Sequence, residues 1–194
     1  MYRNRFLCTI CFLLSITSFN TFAKPAYAII TEIFAIPGER ELEIKIPKIW
    51  NYQLKRVDEY TPPLLTFYVI DEERNEIFQL NVSMLWTDGY AINIATDEAV
   101  KKLVLDSSVD ILPYSDEENV ELISLQAEHA KGYYYELTDS NSAPHEFKYL
   151  LQGAAKVGDI VLIFSLFANE TDSILQEATI NIIKSAKIIL HNKI

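Results

Sequence analysis

The sequence predicts an α+β domain, a largely antiparallel β-sheet flanked by helices. Three observations carry the prediction. Glu41-Leu42-Glu43-Ile44-Lys45-Ile46 alternates charge and aliphatic residue without a break, the period-two pattern of a strand with one buried and one wet face. Two later segments switch to the 3.6 period of an amphipathic helix. The strands also group in runs instead of alternating one for one with helices, which favours antiparallel pairing. At 194 residues, with 49% apolar residues, the chain has room for one domain of ordinary size and a large core.

Taken in order, Lys24 to Pro37 reads as a leader with a possible first strand in Ile29-Ile36, ended by the turn pair Pro37-Gly38. The alternating strand follows and Pro47 stops it. Tyr52 to Glu59 is more polar and reads as an edge strand or loop before Tyr60-Thr61-Pro62-Pro63. Leu64-Ile70 and Asn75-Trp86, separated by the charged turn Asp71-Glu72-Glu73-Arg74, make an antiparallel hairpin. Thr96 or Asp97 caps a helix of three to four turns. Ala99, Val100, Leu103 and Val104 form its apolar face, Lys101, Lys102 and Asp106 its wet one, and Pro113 lies beyond its end.

Strands resume at Val120-Ala127 and Gly132-Leu137, with a turn expected at Lys131-Gly132. Phe147-Ala155 and Ile160-Phe167 form a last hairpin around Val157-Gly158-Asp159, where glycine adopts a positive φ at little cost. Asn169 or Thr171 then caps a closing helix that runs to Lys187. Its stripe is Ile174, Leu175, Ala178, Ile182, Ile183 and Ala186, with acids near its start and lysines near its end, as the helix dipole favours. One α+β domain over residues 38–189 with a tail at 190–194 is the expected organisation.

The first 23 residues read as an address. Two arginines precede an apolar run from Phe6 to Phe19, and small residues follow at cleavage spacing, ending at Ala23 or, alternatively, at Ala28. The run is too short to span a bilayer as a helix. Cys8 and Cys11 both lie inside it, so the mature chain is expected to have no disulfide, thiol nucleophile or thiolate metal site. The full chain carries a net charge of -10. Removing residues 1–23 takes away Arg3 and Arg5 and leaves 15 basic against 27 acidic residues, a net of -12. That charge argues against nucleic acid and against docking on anionic lipid, both of which need basic clusters. A periplasmic or secreted protein is expected, without stable membrane insertion after cleavage. Asn81-Val82-Ser83 and Asn169-Glu170-Thr171 match the glycosylation pattern, which has no use in a bacterial envelope.

The second half carries a family resemblance. Gly132-Tyr133-Tyr134-Tyr135-Glu136-Leu137-Thr138-Asp139, a polar loop through Pro144, Phe147-Lys148-Tyr149-Leu150-Leu151-Gln152-Gly153, Val157-Gly158-Asp159, the apolar strand Ile160-Phe167 and the closing helix follow one another. This run resembles the PsbP/Mog1/DcrB-like group of small α/β/α sandwich domains, especially its uncharacterised bacterial secreted members, and the resemblance covers roughly residues 38–189. It implies a shape more than an activity. Characterised members of that group are non-enzymatic: an extrinsic photosystem II subunit, a binder of a small GTPase and an envelope protein needed for phage uptake. None of their binding residues has a counterpart to carry over.

Catalytic constellations are missing from the pattern. His129, His145 and His191 share no metal-ligand or helical spacing, and neither HExxH, GxSxG nor a phosphate-cradling glycine loop occurs. The acidic clusters Asp71-Glu72-Glu73 and Asp116-Glu117-Glu118 lack calcium-loop spacing and read as solvated turns. No catalytic residue, cofactor or metal site is therefore assigned. The residues singled out for partner binding are aromatic. In Tyr133-Tyr134-Tyr135 the outer two share a strand face and Tyr134 takes the other, while Trp50 and Trp86 are either surface anchors or core. The sequence thus leads to an exported, non-catalytic binding or accessory protein of the bacterial cell envelope, docking through Tyr133, Tyr135, Trp50 and Trp86. The alternative is a carrier of a small apolar ligand held between sheet and helix. A hydrolase built from loop carboxylates and His145 comes third.

Overall fold

The computed structural model describes residues 27–36, 40–55, 62–70, 72, 76–86 and 96–190. Within them the chain runs β1 (Ile29–Ile36), β2 (Arg40–Pro47), β3 (Asn51–Lys55), β4 (Leu64–Ile70), β5 (Glu76–Trp86), α1 (Asp97–Ser108), β6 (Ile123–Gln126), β7 (Ala130–Thr138), β8 (Tyr149–Val157), β9 (Ile160–Ala168), α2 (Ser173–Ser185) and β10 (Lys187–Leu190). The strands make a seven-stranded sheet of order β3-β4-β5-β9-β8-β7-β6 and a three-stranded sheet of order β1-β2-β10. Every pairing is antiparallel. The mostly antiparallel, two-helix α+β character read from the sequence holds. Residues 1–26, which include the expected signal segment and both cysteines, and residues 191–194 lie outside the described residues.

The central strand shows why the sequence is so apolar there. β9 lies between β5 and β8, and its side chains alternate between two cores. Leu162, Phe164 and Leu166 join Leu80, Val82, the β2 residues Leu42, Ile44 and Ile46, and the α2 residues Ile182 and Ile183. Val161 and Ile163 point the other way, to a smaller cluster with Leu85, Tyr135, Ala154 and the α1 residues Val100 and Val104. Where β9 is covered on both faces, over 160–164, it reads as an unbroken hydrophobic run. α2 and β2 thus share one core, and α1 packs with the other.

Local signals hold at most ends. Thr96 caps α1, its hydroxyl accepting from the Ala99 amide at 3.2 Å. The β8–β9 hairpin turns at Gly158 with φ +61°, and β4–β5 pairs as expected, Leu65 opposite Val82 and Phe67 opposite Leu80. Three expectations are corrected. α2 is capped by Asp172, whose carboxylate accepts from the Ile174 and Leu175 amides, and not by Asn169 or Thr171. The expected turn at Lys131-Gly132 lies instead at 127–130, closed by the Ala127 amide donating to the Ala130 carbonyl at 2.8 Å. Gly132 is inside β7, where a Cβ would stand 2.0 Å from the Ala154 carbonyl oxygen, so the glycine serves close strand packing.

The small sheet holds one expectation that is met and the third correction. Residues 29–36, expected as a possible first strand, form β1 and pair with β2 along their whole length. The closing helix stops at Ser185, and the next residues form β10, which pairs antiparallel to β2 with Lys187 opposite Glu43. The Lys187 ammonium meets the Glu43 carboxylate at 2.9 Å, and the Ser185 hydroxyl accepts from the Lys45 amide just beyond the end of the ladder. Arg40, at the start of β2, pairs with Asp159 in the β8–β9 turn and ties the two sheets together.

Candidate functional site

The tyrosine triplet splits between the faces as its strand period requires. Tyr133 and Tyr135 lie on the α1 side and Tyr134 on the α2 side. Tyr135 has 0% of its surface exposed, and its hydroxyl lies 3.3 Å from the Ser107 hydroxyl on α1. Burial pushes that phenol above its ordinary pKa, and the Ser107 contact pulls it partly back. Tyr133 is half-buried under the same helix, with the Lys101 ammonium 5.8 Å above its ring. Trp50 and Trp86 are 7% and 8% exposed and belong to the main core, Trp50 tilting against Phe78 at 4.5 Å between ring centres. Of the four aromatics expected to dock a partner, Tyr135, Trp50 and Trp86 are thus buried, and Tyr133 keeps part of its ring exposed. α1 uses the two tyrosines as its floor, and burial claims both tryptophans.

The concave surface lies on the other side, along α2. One cleft of about 310 Å³ opens between α2 and the β1–β2 pair. Ile174, Ala178 and Ile182 form its helix wall, and Tyr27, Ile29 and Pro47 stand opposite. Lys45, Glu177, Asn181 and Ser185 supply its polar atoms. The residues facing in from α2 recur at i, i+4 and i+8, so one helical stripe builds the wall. A second, polar cleft of about 270 Å³ lies between α2 and β7, lined by Tyr134, Glu136, Ser173, Gln176 and Lys184. Glu177 and Asn181 line both. These two residues, one turn apart, form a ridge with an apolar slot on one flank and a hydrogen-bonding slot on the other.

A fixed network sets the floor of the polar side. Gln176 donates from Nε2 to the Tyr149 hydroxyl at 2.6 Å and lies 3.4 Å from a Glu136 carboxylate oxygen. Burial and then the Glu136 charge raise the Tyr149 phenol well above its usual range, so it stays neutral and hydrogen-bonded. Tyr134 is raised for the same two reasons, in the same order. Together the clefts offer donors, acceptors and the ammonium groups of Lys45 and Lys184 beside an apolar slot.

The histidines do not converge with these groups. His129 lies in the β6–β7 turn, 3.5 Å from the Glu128 carboxylate, and His145 sits exposed at φ +76° in the loop before β8. His191 lies outside the described residues. Among the described residues no group of three or more His, Cys, Asp or Glu side chains is placed to hold a metal ion, and no helix is long and apolar enough to cross a membrane. A third hollow of about 210 Å³ near the end of α1 is walled by Tyr114, Phe147 and Phe167. The α2 clefts were not found by sequence reasoning, although their signal was there. Ile174 and Ala178 belong to the apolar stripe of α2, yet both are only half-buried, the mark of a stripe that its sheet does not fully cover.

No family model matches the chain, and comparison with the curated proteins found no relative.

Proposed function

We propose that this chain is an exported, non-catalytic binding protein of the bacterial cell envelope, with an α/β/α arrangement of the PsbP/Mog1/DcrB kind, and that it carries a small amphiphile along α2. The observation behind this reading is the ridge of Glu177 and Asn181 between an apolar and a polar cleft. An apolar tail fits the slot walled by Ile174, Ala178 and Ile182, where each buried methylene contributes about 0.8 kcal/mol. A polar head reaches across the ridge toward Gln176 and Lys184. The apolar cleft falls at the small end of the usual range for ligand sites, about 300–1,000 Å³, so the ligand is a single short chain and not a two-tailed lipid. Export rests on the N-terminal basic, apolar and small-residue pattern.

The test is to purify the protein from its native envelope without detergent, denature it, and identify co-released small molecules by mass spectrometry. Thermal unfolding with single-chain fatty acids and lysophospholipids is run alongside. A true ligand at a hundredfold excess over Kd adds about 2.7 kcal/mol, and Ala178→Trp, which fills the slot, should remove that gain. No co-purifying amphiphile and no shift with either lipid class would reject the carrier reading. A second reading, docking on an envelope protein, draws on Leu105, Val109 and Tyr114, which expose apolar surface at the C-terminal end of α1. It predicts crosslinking to one stoichiometric partner that Val109→Lys abolishes.

A further inference from the structure

The face of the large sheet that carries α1 is only partly covered by it, since α1 packs on β7 and β8. Across the rest, register brings one row of side chains into line. Gln53 on β3 stands opposite Thr66 on β4, Thr66 opposite Asn81 on β5, Asn81 opposite Ser165 on β9, and Ser165 opposite Gln152 on β8. The next member, Tyr135, is buried beneath α1, so the helix closes the row at that end. Each of the five is exposed or half-exposed, and each carries an amide or a hydroxyl. Thr66 and Asn81 are already joined, the hydroxyl donating to the amide oxygen at 2.9 Å. The adjacent row adds Tyr68 and Phe167, half-exposed rings two strands apart, with Phe147 stacked on Phe167 at 6.4 Å.

Charge separates this face from an ordinary wet one. The row and its two neighbours, followed from β3 to β7, contain one charged residue, Lys55 at the outer edge. Yet the sequence is 23% charged, and the partly or fully exposed positions of β2 are Arg40, Glu41, Glu43 and Lys45, as solvent contact alone would favour. Strands in a sheet stand about 4.8 Å apart, close to the length of one hexopyranose in an extended chain. A row with one amide or hydroxyl per strand therefore offers one hydrogen-bonding group per sugar ring, with flanking aromatic faces on which rings stack.

We propose that this row is a binding site for a neutral, extended glycan lying across the strands from Gln53 to Gln152. Hydroxyls of such a chain match uncharged amides and hydroxyls, and no charged group on the protein loses its water when it docks. The site is separate from the α2 clefts, which open on the opposite side of the sheet.

The test titrates the isotopically labelled mature chain with cellohexaose, chitohexaose and maltoheptaose, following side-chain amide signals by NMR. Polygalacturonate serves as a charged control. At least one neutral oligosaccharide should shift the Gln53, Asn81 and Gln152 amides, with the control inert. Ser165→Lys should weaken that binding at least tenfold, and Gln53→Ala, on the exposed edge strand, about fivefold for one lost hydrogen bond. Ala178→Trp, in the α2 cleft, should leave it unchanged. The proposal is overturned by silence with all three neutral probes, by unaltered binding in Gln53→Ala, by equal binding of polygalacturonate, or by a dimer that Ser165→Lys splits, which would assign the face to a second copy of the chain.

Discussion

Gln176 of α2 and Tyr149 of β8 meet through a 2.6 Å hydrogen bond, and the same buried phenol reaches Glu136 of β7. Helix and sheet are thereby joined by a group whose charged form is disfavoured in the fold. Tyr149 is held above its ordinary range first by burial and then by Glu136. In the unfolded chain it titrates near pH 10. Its contribution is therefore complete below about pH 10 and is lost as pH rises beyond that, because only the unfolded state can then release the proton. Urea midpoints measured from pH 7 to 11 should fall on the alkaline side, and Tyr149→Phe should flatten that limb. At pH 7 the same substitution should cost about 1 kcal/mol. Parallel curves for the two proteins would remove Tyr149 from this role.

Gly132 is fixed by contact with the neighbouring strand. Its missing Cβ would lie 2.0 Å from one backbone atom of β8 and 2.7 Å from another. Gly132→Ala should destabilise by about 3 kcal/mol, at the upper end for overpacking. Chemical denaturation at constant m-value is the measurement.

Capping of α2 rests on Asp172, which accepts from the Ile174 amide at 2.8 Å and the Leu175 amide at 3.3 Å. Asp172→Ala should lose about 1 kcal/mol, while Thr171→Ala should lie within the scatter of surface changes, about 0.5 kcal/mol. Equal losses for the two would contradict the observed cap.

β10 is tied into the fold. Ile188 packs against the main core, and its side chain stands over Gly158. Ile188→Ala should cost about 2 kcal/mol, the lower end for an aliphatic truncation because the residue is only half-buried. A change indistinguishable from zero in thermal or urea unfolding would reduce β10 to a fringe.

Under the proposed export, the mature N-terminus falls at Lys24. The Ala28 carbonyl accepts from the Lys48 amide at 2.7 Å, extending the β1–β2 ladder, and Tyr27 stands at the apolar cleft. Processing after Ala28 would delete both residues. Intact-mass measurement of the exported protein decides between them, and a chain beginning at Ile29 would take Tyr27 out of the proposed site.

Much of the strand and helix content was legible because its signals are local. The alternation in Glu41-Ile46, Thr96 before an amphipathic run and Gly158 between two apolar strands each state their conformation within a few residues. Misreadings fell where a local rule has two outcomes. Lys131-Gly132 looks like a turn because glycine tolerates turns, but glycine also marks a close backbone approach. Asp172 follows two other good capping residues within four positions, and only the geometry of the first turn selects among them. Lys187-Ile188-Ile189-Leu190 is too short to declare itself, and becomes a strand only because β2 offers it an open edge.

For the candidate sites the division is sharper. That Tyr133 and Tyr135 share a face, and Tyr134 does not, followed from the two-residue period alone. Whether that face meets a helix or solvent did not, since α1 is brought onto β7 only when the chain between them, with β6, folds back. By itself the sequence determined an acidic chain, its α+β class, most strand and helix boundaries and the lack of recognisable catalytic motifs. These depend on composition and on periods of two and 3.6 residues. Only the tertiary structure decided that Trp50, Trp86 and Tyr135 are buried, that α2 divides an apolar from a polar cleft, and that Gln53, Thr66, Asn81, Ser165 and Gln152 fall into one row. Such groupings come from pairing register between distant segments, to which no local pattern is sensitive.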